Sequence, residues 1–76
     1  MTAHIRFSEK QLRQAQSLPR LCMDTVIASA TDTPVSYWRG LRAVGEGPEH
    51  VTTVAGRTYY RRDSVLNYIH AHMREW

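Results

Sequence analysis

The chain is poor in cysteine: Cys22 stands alone, so no disulfide can close within it. No apolar run approaches the roughly 18 residues that cross a bilayer, and no membrane association is expected. Residues 1–12 contain no apolar stretch of the roughly 7–15 residues that marks a secretory signal, so none is expected. Lysine is nearly absent too, with one Lys beside nine Arg. There are no repeats and no low-complexity segments. At 76 residues the chain is one small domain, and a chain of this size buries only about 60% of its unfolded surface. That leaves no room for a separate catalytic domain. Together these scarcities lead to the expectation of a reduced, cytoplasmic mini-domain.

Hydrophobic residues make up 42% of the chain, with two Trp and four Tyr. That is enough to form a core, unlike a disordered polar tail. The formal charge is +3 and the isoelectric point near 9.5. The arginine bias is informative, because a planar guanidinium matches phosphate oxygens and guanine edges better than a lysine point charge does. Charge is unevenly spread: residues 1–20 carry a balance of +3, residues 21–50 one of −2, and residues 51–76 one of +2.

Local signals predict a first helix from Glu9 to about Ser17, capped by Ser8 with Gln11 as its capping-box partner and ended by Pro19. Its apolar content is thin, so residues 1–20 read as an N-terminal extension, lightly docked. A second helix should follow Asp24 as N-cap, with Val26, Ile27 and Ala30 as its apolar stripe. A third should start with Thr33 as cap and Pro34 in the first helical position, and run to about Ala43. Trp38 and Leu41, with Pro34 and Val35, would face the core. Ser36, Arg39 and Gly40 would face away, with Tyr37 and Arg42 on the flanks. The run Gly45-Glu46-Gly47-Pro48 stops the helix.

Residues 50–54 and 57–61 read as a hairpin turning at Ala55-Gly56. Alternation would bury Thr58 and Tyr60 and expose Arg57, Tyr59 and Arg61. Asp63 should cap a last helix from Ser64 to about Arg74, striped by Val65, Leu66, Ile69 and Met73. The expected class is therefore mostly α with a β-hairpin (α+β). The second and third helices, about three residues apart, have helix-turn-helix spacing, and the hairpin has the position of a wing. Residues 21–76 would form this winged helix-turn-helix domain.

Residues 23–69 resemble the excisionase and MerR-like winged helix-turn-helix family, which includes phage excisionases (recombination directionality factors) and AlpA-like regulators. The resemblance rests on Val26 and residues 28–30, then Trp38 and Leu41. It continues through Gly45-Glu46-Gly47-Pro48, the strand at 51–54, Gly56-Arg57, and Tyr60-Arg61-Arg62-Asp63 leading to Val65. It covers about 47 of the 76 residues. The family usually places Trp where Leu41 stands, and it lacks the first twenty residues. The likeness implies that Ser36, Tyr37, Arg39, Gly40 and Arg42 face double-stranded DNA and that Gly56 and Arg57 form the wing tip. It implies cooperative self-association on tandem DNA sites, bending of the DNA, partnership with an integrase, and no catalysis.

Within that frame Arg39, opposite the core face, is the candidate for a base edge, and Arg42 for a phosphate. Arg57 would enter the minor groove. Tyr59 is a candidate phosphate contact beside Arg57 and Arg61. Tyr37 has two readings, the same contact or packing under the wing. Arg61 and Arg62 are weaker candidates, and Arg62 has the structural alternative of pairing with Asp63 or Asp24. Cys22 reads as a small buried hydrophobe. No cofactor is expected: His70 and His72, two apart on a helix, point roughly 200° from each other and cannot share an ion. The expected function is a DNA-binding excisionase of a phage or mobile element, with a further role in repressing transcription. The alternatives are an AlpA-like transcription regulator and a small protein-binding inhibitor built on the same fold.

Overall fold

The computed structural model describes residues 5–73. The elements run α1 (Glu9–Gln16), β1 (Leu21–Cys22), α2 (Asp24–Thr31), α3 (Val35–Ala43), β2 (His50–Thr52), β3 (Thr58–Arg61) and α4 (Arg62–Ala71). Four helices and a three-stranded antiparallel sheet make an α+β arrangement compatible with a winged helix. Among the described residues no helix is long and apolar enough to cross a membrane.

The first helix starts as its sequence dictates. Ser8 Oγ accepts the Gln11 N–H, and Gln11 Oε1 accepts the Ser8 N–H at 2.8 Å, closing the capping box. Light docking, however, is not what is found. Phe7, Ala15 and Leu18 are buried, and Gln11 Nε2 donates to Thr31 O at 3.0 Å, tying α1 to the end of α2. The Phe7 N–H donates to His72 O at 2.9 Å, fastening the entering chain to the end of α4. A helix poor in large apolar residues is central here because Phe7, just ahead of it, fills the core. The Phe7 ring lies among those of Tyr37, Trp38 and Tyr68, with centroids 5.9–6.3 Å away, an edge-and-tilt cluster of the kind aromatic quadrupoles favour.

The connection between α2 and α3 spans the expected three residues. Asp32 takes a left-handed conformation (φ 53°) and ends α2. Thr33 does not cap α3. Its Oγ1 accepts the Trp38 indole N–H at 2.8 Å and lies 2.9 Å from Thr31 Oγ1, which donates to Ile27 O at 2.7 Å. With one hydrogen per hydroxyl, Thr33 must donate to Thr31. This chain of hydrogen bonds links the indole N–H to the α2 backbone and fixes how the helices meet. Pro34, extended, is the N-cap residue instead, and α3 begins at Val35. At the other end Gly45 (φ 75°) supplies the left-handed turn of a Schellman motif, with Gly45 N–H bonded to Arg42 O and Glu46 N–H to Leu41 O.

Asp24 is not the N-cap of α2. Met23 takes that position, and Asp24 is a buried first-turn residue. The expected α2 stripe also rotates: Ile27, Ala28 and Thr31 are buried, while Val26 is exposed.

The expected hairpin is part of a three-stranded sheet. The two-residue β1 pairs with β3, Leu21 opposite Arg61 and Cys22 opposite Tyr60, so β3 is central. On its other side β2 sets His50, Val51 and Thr52 opposite Tyr60, Tyr59 and Thr58. Tyr60 and Cys22 share the buried face, as the alternation of β3 predicts for Tyr60. Burial raises the pKa of Cys22 above its ordinary value, Arg62 nearby opposing this. The strands stop short of their expected ends, leaving residues 53–57 as the connection. Strand β3 passes into α4 without a loop, so α4 starts at Arg62, two residues sooner than expected, and Asp63 lies in its first turn without a capping bond. Val65 and Ile69 are buried in the core and Leu66 and Met73 pack partly against it. Helix α4 ends at Ala71 with His72 as its C-cap, short of the expected end near Arg74, a position outside the described residues.

Candidate functional site

The two faces of α3 differ sharply. Tyr37, Trp38 and Leu41 are buried, whereas Ser36 and Arg39 are exposed and Gly40 is half-buried. Tyr37 therefore leaves the candidate surface. Its hydroxyl lies 2.6 Å from that of Tyr68 and accepts the Ile5 N–H at 3.2 Å. A flank position becomes core where Phe7, ahead of α1, and Tyr68 of α4 meet it, which the helix's own periodicity does not reveal. Burial raises the pKa of Tyr68, and the hydrogen bond to Tyr37 raises it further.

Asp24, Arg39, Arg42 and Tyr60 converge from three elements. Arg39 Nε donates to Asp24 Oδ2 at 2.9 Å, and Arg42 Nη1 lies 3.4 Å from the same oxygen. Arg42 Nη1 also donates to Tyr60 Oη at 2.9 Å. Burial pushes the Asp24 carboxyl upward, but the hydrogen bond and charge of Arg39, with help from the Thr25 N–H and Arg42, outweigh it and leave the pKa lowered. Burial raises the pKa of Tyr60, opposed by Arg42. Chemically, Arg42 is a strut from α3 to Asp24 and β3 through its Nη1, with about a quarter of its side chain exposed. Arg39 keeps more than half of its side chain exposed. Only its Nε is engaged among the described residues; the Nη1 and Nη2 nitrogens have no protein partner there. A Cβ added at Gly40 would meet nothing within 4 Å, so the outward surface beside Arg39 is open.

The hairpin connection is fully exposed from Thr53 to Arg57. Thr53 organises it: its N–H donates to Arg57 O, its carbonyl accepts the Gly56 N–H, and its Oγ1 accepts the Arg57 N–H. Gly56 has φ 85°, which a side chain would disfavour. The Arg57 guanidinium has no partner among the described residues. Arg57 lies in the connection, one residue ahead of β3.

Tyr59 and Arg61 are not joined to this group. Since Tyr60 meets Arg42, its two neighbours point to the opposite face of the sheet. There Arg61 lines a groove of about 500 Å³ with Arg20, Leu21, Val51, Arg62 and Asp63. Arg62 pairs with neither Asp63 nor Asp24; its Nη1 donates to Leu18 O at 3.1 Å.

Asp24 is the site residue that sequence reasoning missed. It was legible as a helix-start acid, but its partners stand 15 and 18 positions away on another helix. No group of three His, Cys, Asp or Glu among the described residues could hold a metal ion. The chain matches no protein-family model, no curated protein and no solved structure.

Proposed function

We propose that the protein binds double-stranded DNA as a non-catalytic winged helix-turn-helix factor, α3 lying in the major groove and the tip at 53–57 reaching the adjacent minor groove. The observation that carries this reading is the arginine on the outward face of α3, with Nη1 and Nη2 unengaged beside an open glycine surface. That helix is tied to the wing strand through Arg42 and Tyr60. A helix face of this kind fits the major groove, where arginine reads guanine O6 and N7. A glycine in mid-helix costs about 0.5–1 kcal/mol relative to alanine, and nothing inside the protein needs the space at Gly40. Close approach of an outside surface accounts for it.

The resemblance to excisionases extends the proposal to a recombination directionality factor of a phage or mobile element. Several copies on tandem sites beside an attachment site would bend the DNA for an integrase. Smooth bending of 40–90° over 20–30 bp costs on the order of 1–6 kcal/mol. A protein of net charge +3 makes few phosphate contacts, so cooperative binding is expected. An AlpA-like promoter regulator would use the same surface. The DNA face of this proposal contains Ser36, Arg39, Gly40, Gly56 and Arg57, and leaves out Tyr37, Tyr59 and Arg61.

Electrophoretic shifts on duplex carrying attachment-site repeats test it. A ladder of complexes is expected, and the double substitution Arg39→Gln with Arg57→Gln should abolish it while leaving the circular dichroism spectrum intact. Unchanged binding by that variant would move the DNA contact off Arg39 and Arg57; no shift by the wild-type protein would remove the DNA reading. The groove lined by Leu21, Val51 and Arg61 on the other sheet face would then favour the second reading, a protein-binding module.

A further inference from the structure

Resting on the DNA reading, we propose that Asp24 is a positioning residue for base recognition: by holding Arg39 Nε, it presents the Nη1–Nη2 edge of that guanidinium as a preset fork for the O6/N7 edge of a guanine. The interaction is specific in its atoms. Asp24 Oδ2 lies 2.9 Å from Nε, the nitrogen nearest the aliphatic stem. The two terminal nitrogens are left outward, on a side chain that is otherwise more than half exposed.

An unbraced surface arginine samples many rotamers and loses that freedom when it binds. A braced one has lost much of it already, so more of the contact's free energy appears as discrimination between bases. The carboxylate is itself fixed. It starts a helix whose next turn is in the core, its side chain is 8% exposed, and Arg42 approaches the same oxygen from α3 while bound to Tyr60. Asp24 belongs to α2 and does not extend toward the DNA face. It acts through Arg39.

Two measurements separate this inference from its parent. The first needs no DNA. In the ¹⁵N spectrum of the free protein at neutral pH, Arg39 Nε–H should give a resolved, exchange-protected signal. Asp24→Ala should broaden or lose that signal while the circular dichroism spectrum stays native. An equally protected signal in the variant would overturn the bracing. The second measures affinity for a duplex selected from a random library by the wild-type protein, and for copies with each guanine replaced in turn.

Wild type should discriminate at one guanine by about 5- to 150-fold, the span of a bidentate arginine contact. Asp24→Ala should lose most of that ratio and keep its affinity for unselected DNA. In an Arg39→Ala background, Asp24→Ala should change the ratio no further. A loss that is equal on every sequence, or that persists without Arg39, means that Asp24 is merely structural and overturns the inference. If Asp24→Ala does not fold, Asp24→Leu, which keeps much of the volume and removes the acceptor oxygen, takes its place in both measurements with the same outcomes. If wild type selects no duplex at all, the DNA reading itself fails. If wild type selects duplex and the Asp24 variant is equally selective, only the positioning role fails.

Discussion

Every residue from Thr53 to Arg57 is exposed, whereas Phe7, Trp38 and Leu41 expose 1% of their surface or less. The centre is held by buried rings and by a hydrogen-bond chain from the Trp38 indole through two threonines. The tip is held by three bonds to Thr53 and a left-handed glycine. One region sets whether the molecule folds; the other bears almost no burial, so its side chains are free to be chosen for what they meet outside. The outward face of α3 lies between these extremes, since its backbone belongs to the core while Arg39 does not.

Substitutions can break or sharpen that contrast. Phe7→Ala should have the largest effect, a loss of about 3–5 kcal/mol as for other buried aromatic truncations, read by urea unfolding. A change within about 0.5 kcal/mol, typical of surface sites, would return residues 5–18 to the role of a loose extension. Arg57→Glu at the tip should leave the unfolding midpoint unchanged. It should weaken duplex binding by about tenfold or more and lower the salt slope by about one unit. Loss of stability in that variant would show that the tip supports the fold. Gly40→Ala should move the two properties in opposite directions, raising stability by about 0.5–1 kcal/mol and lowering DNA affinity. A gain in both would dismiss close approach at that helix surface.

The smallest effects are in pH dependence. The Asp24 pKa in the folded protein lies below its ordinary value of 3.8. Its ion pair therefore stabilises the fold above that pH and is lost as pH falls through the folded value. Asp24→Asn should flatten the acid limb of a stability profile measured by thermal unfolding. At the alkaline end, Tyr60 and Tyr68 have raised pKa values. Their contribution is intact below the unfolded value near 10 and declines as pH rises through the folded ones. Tyr68→Phe should lessen that decline.

Much of the architecture was readable locally. The capping box of Ser8 and Gln11, the glycine that ends α3 and the Val65/Ile69 stripe each depend on residues within a turn or two, so the chain's own neighbours suffice. The burial of Tyr60 followed from strand alternation. Strand β1 was not readable, because two residues show no periodicity and pair only with β3, reached 38 residues later in the Cys22–Tyr60 register. The candidate site was half legible. Arg39 was correctly placed outward, but Arg42 and Tyr37 are drawn inward by partners on other elements.

Local bonding along the chain thus settles where helices begin and stop, since a cap or a turn satisfies backbone groups only a few positions away. Packing decides the rest: that Phe7 belongs to the core, that α4 grows straight from β3, and that one carboxylate holds two arginines. Those outcomes depend on how α1, α2, α3 and the sheet cross, and a crossing angle is set by the fit of side chains that the chain order keeps far apart.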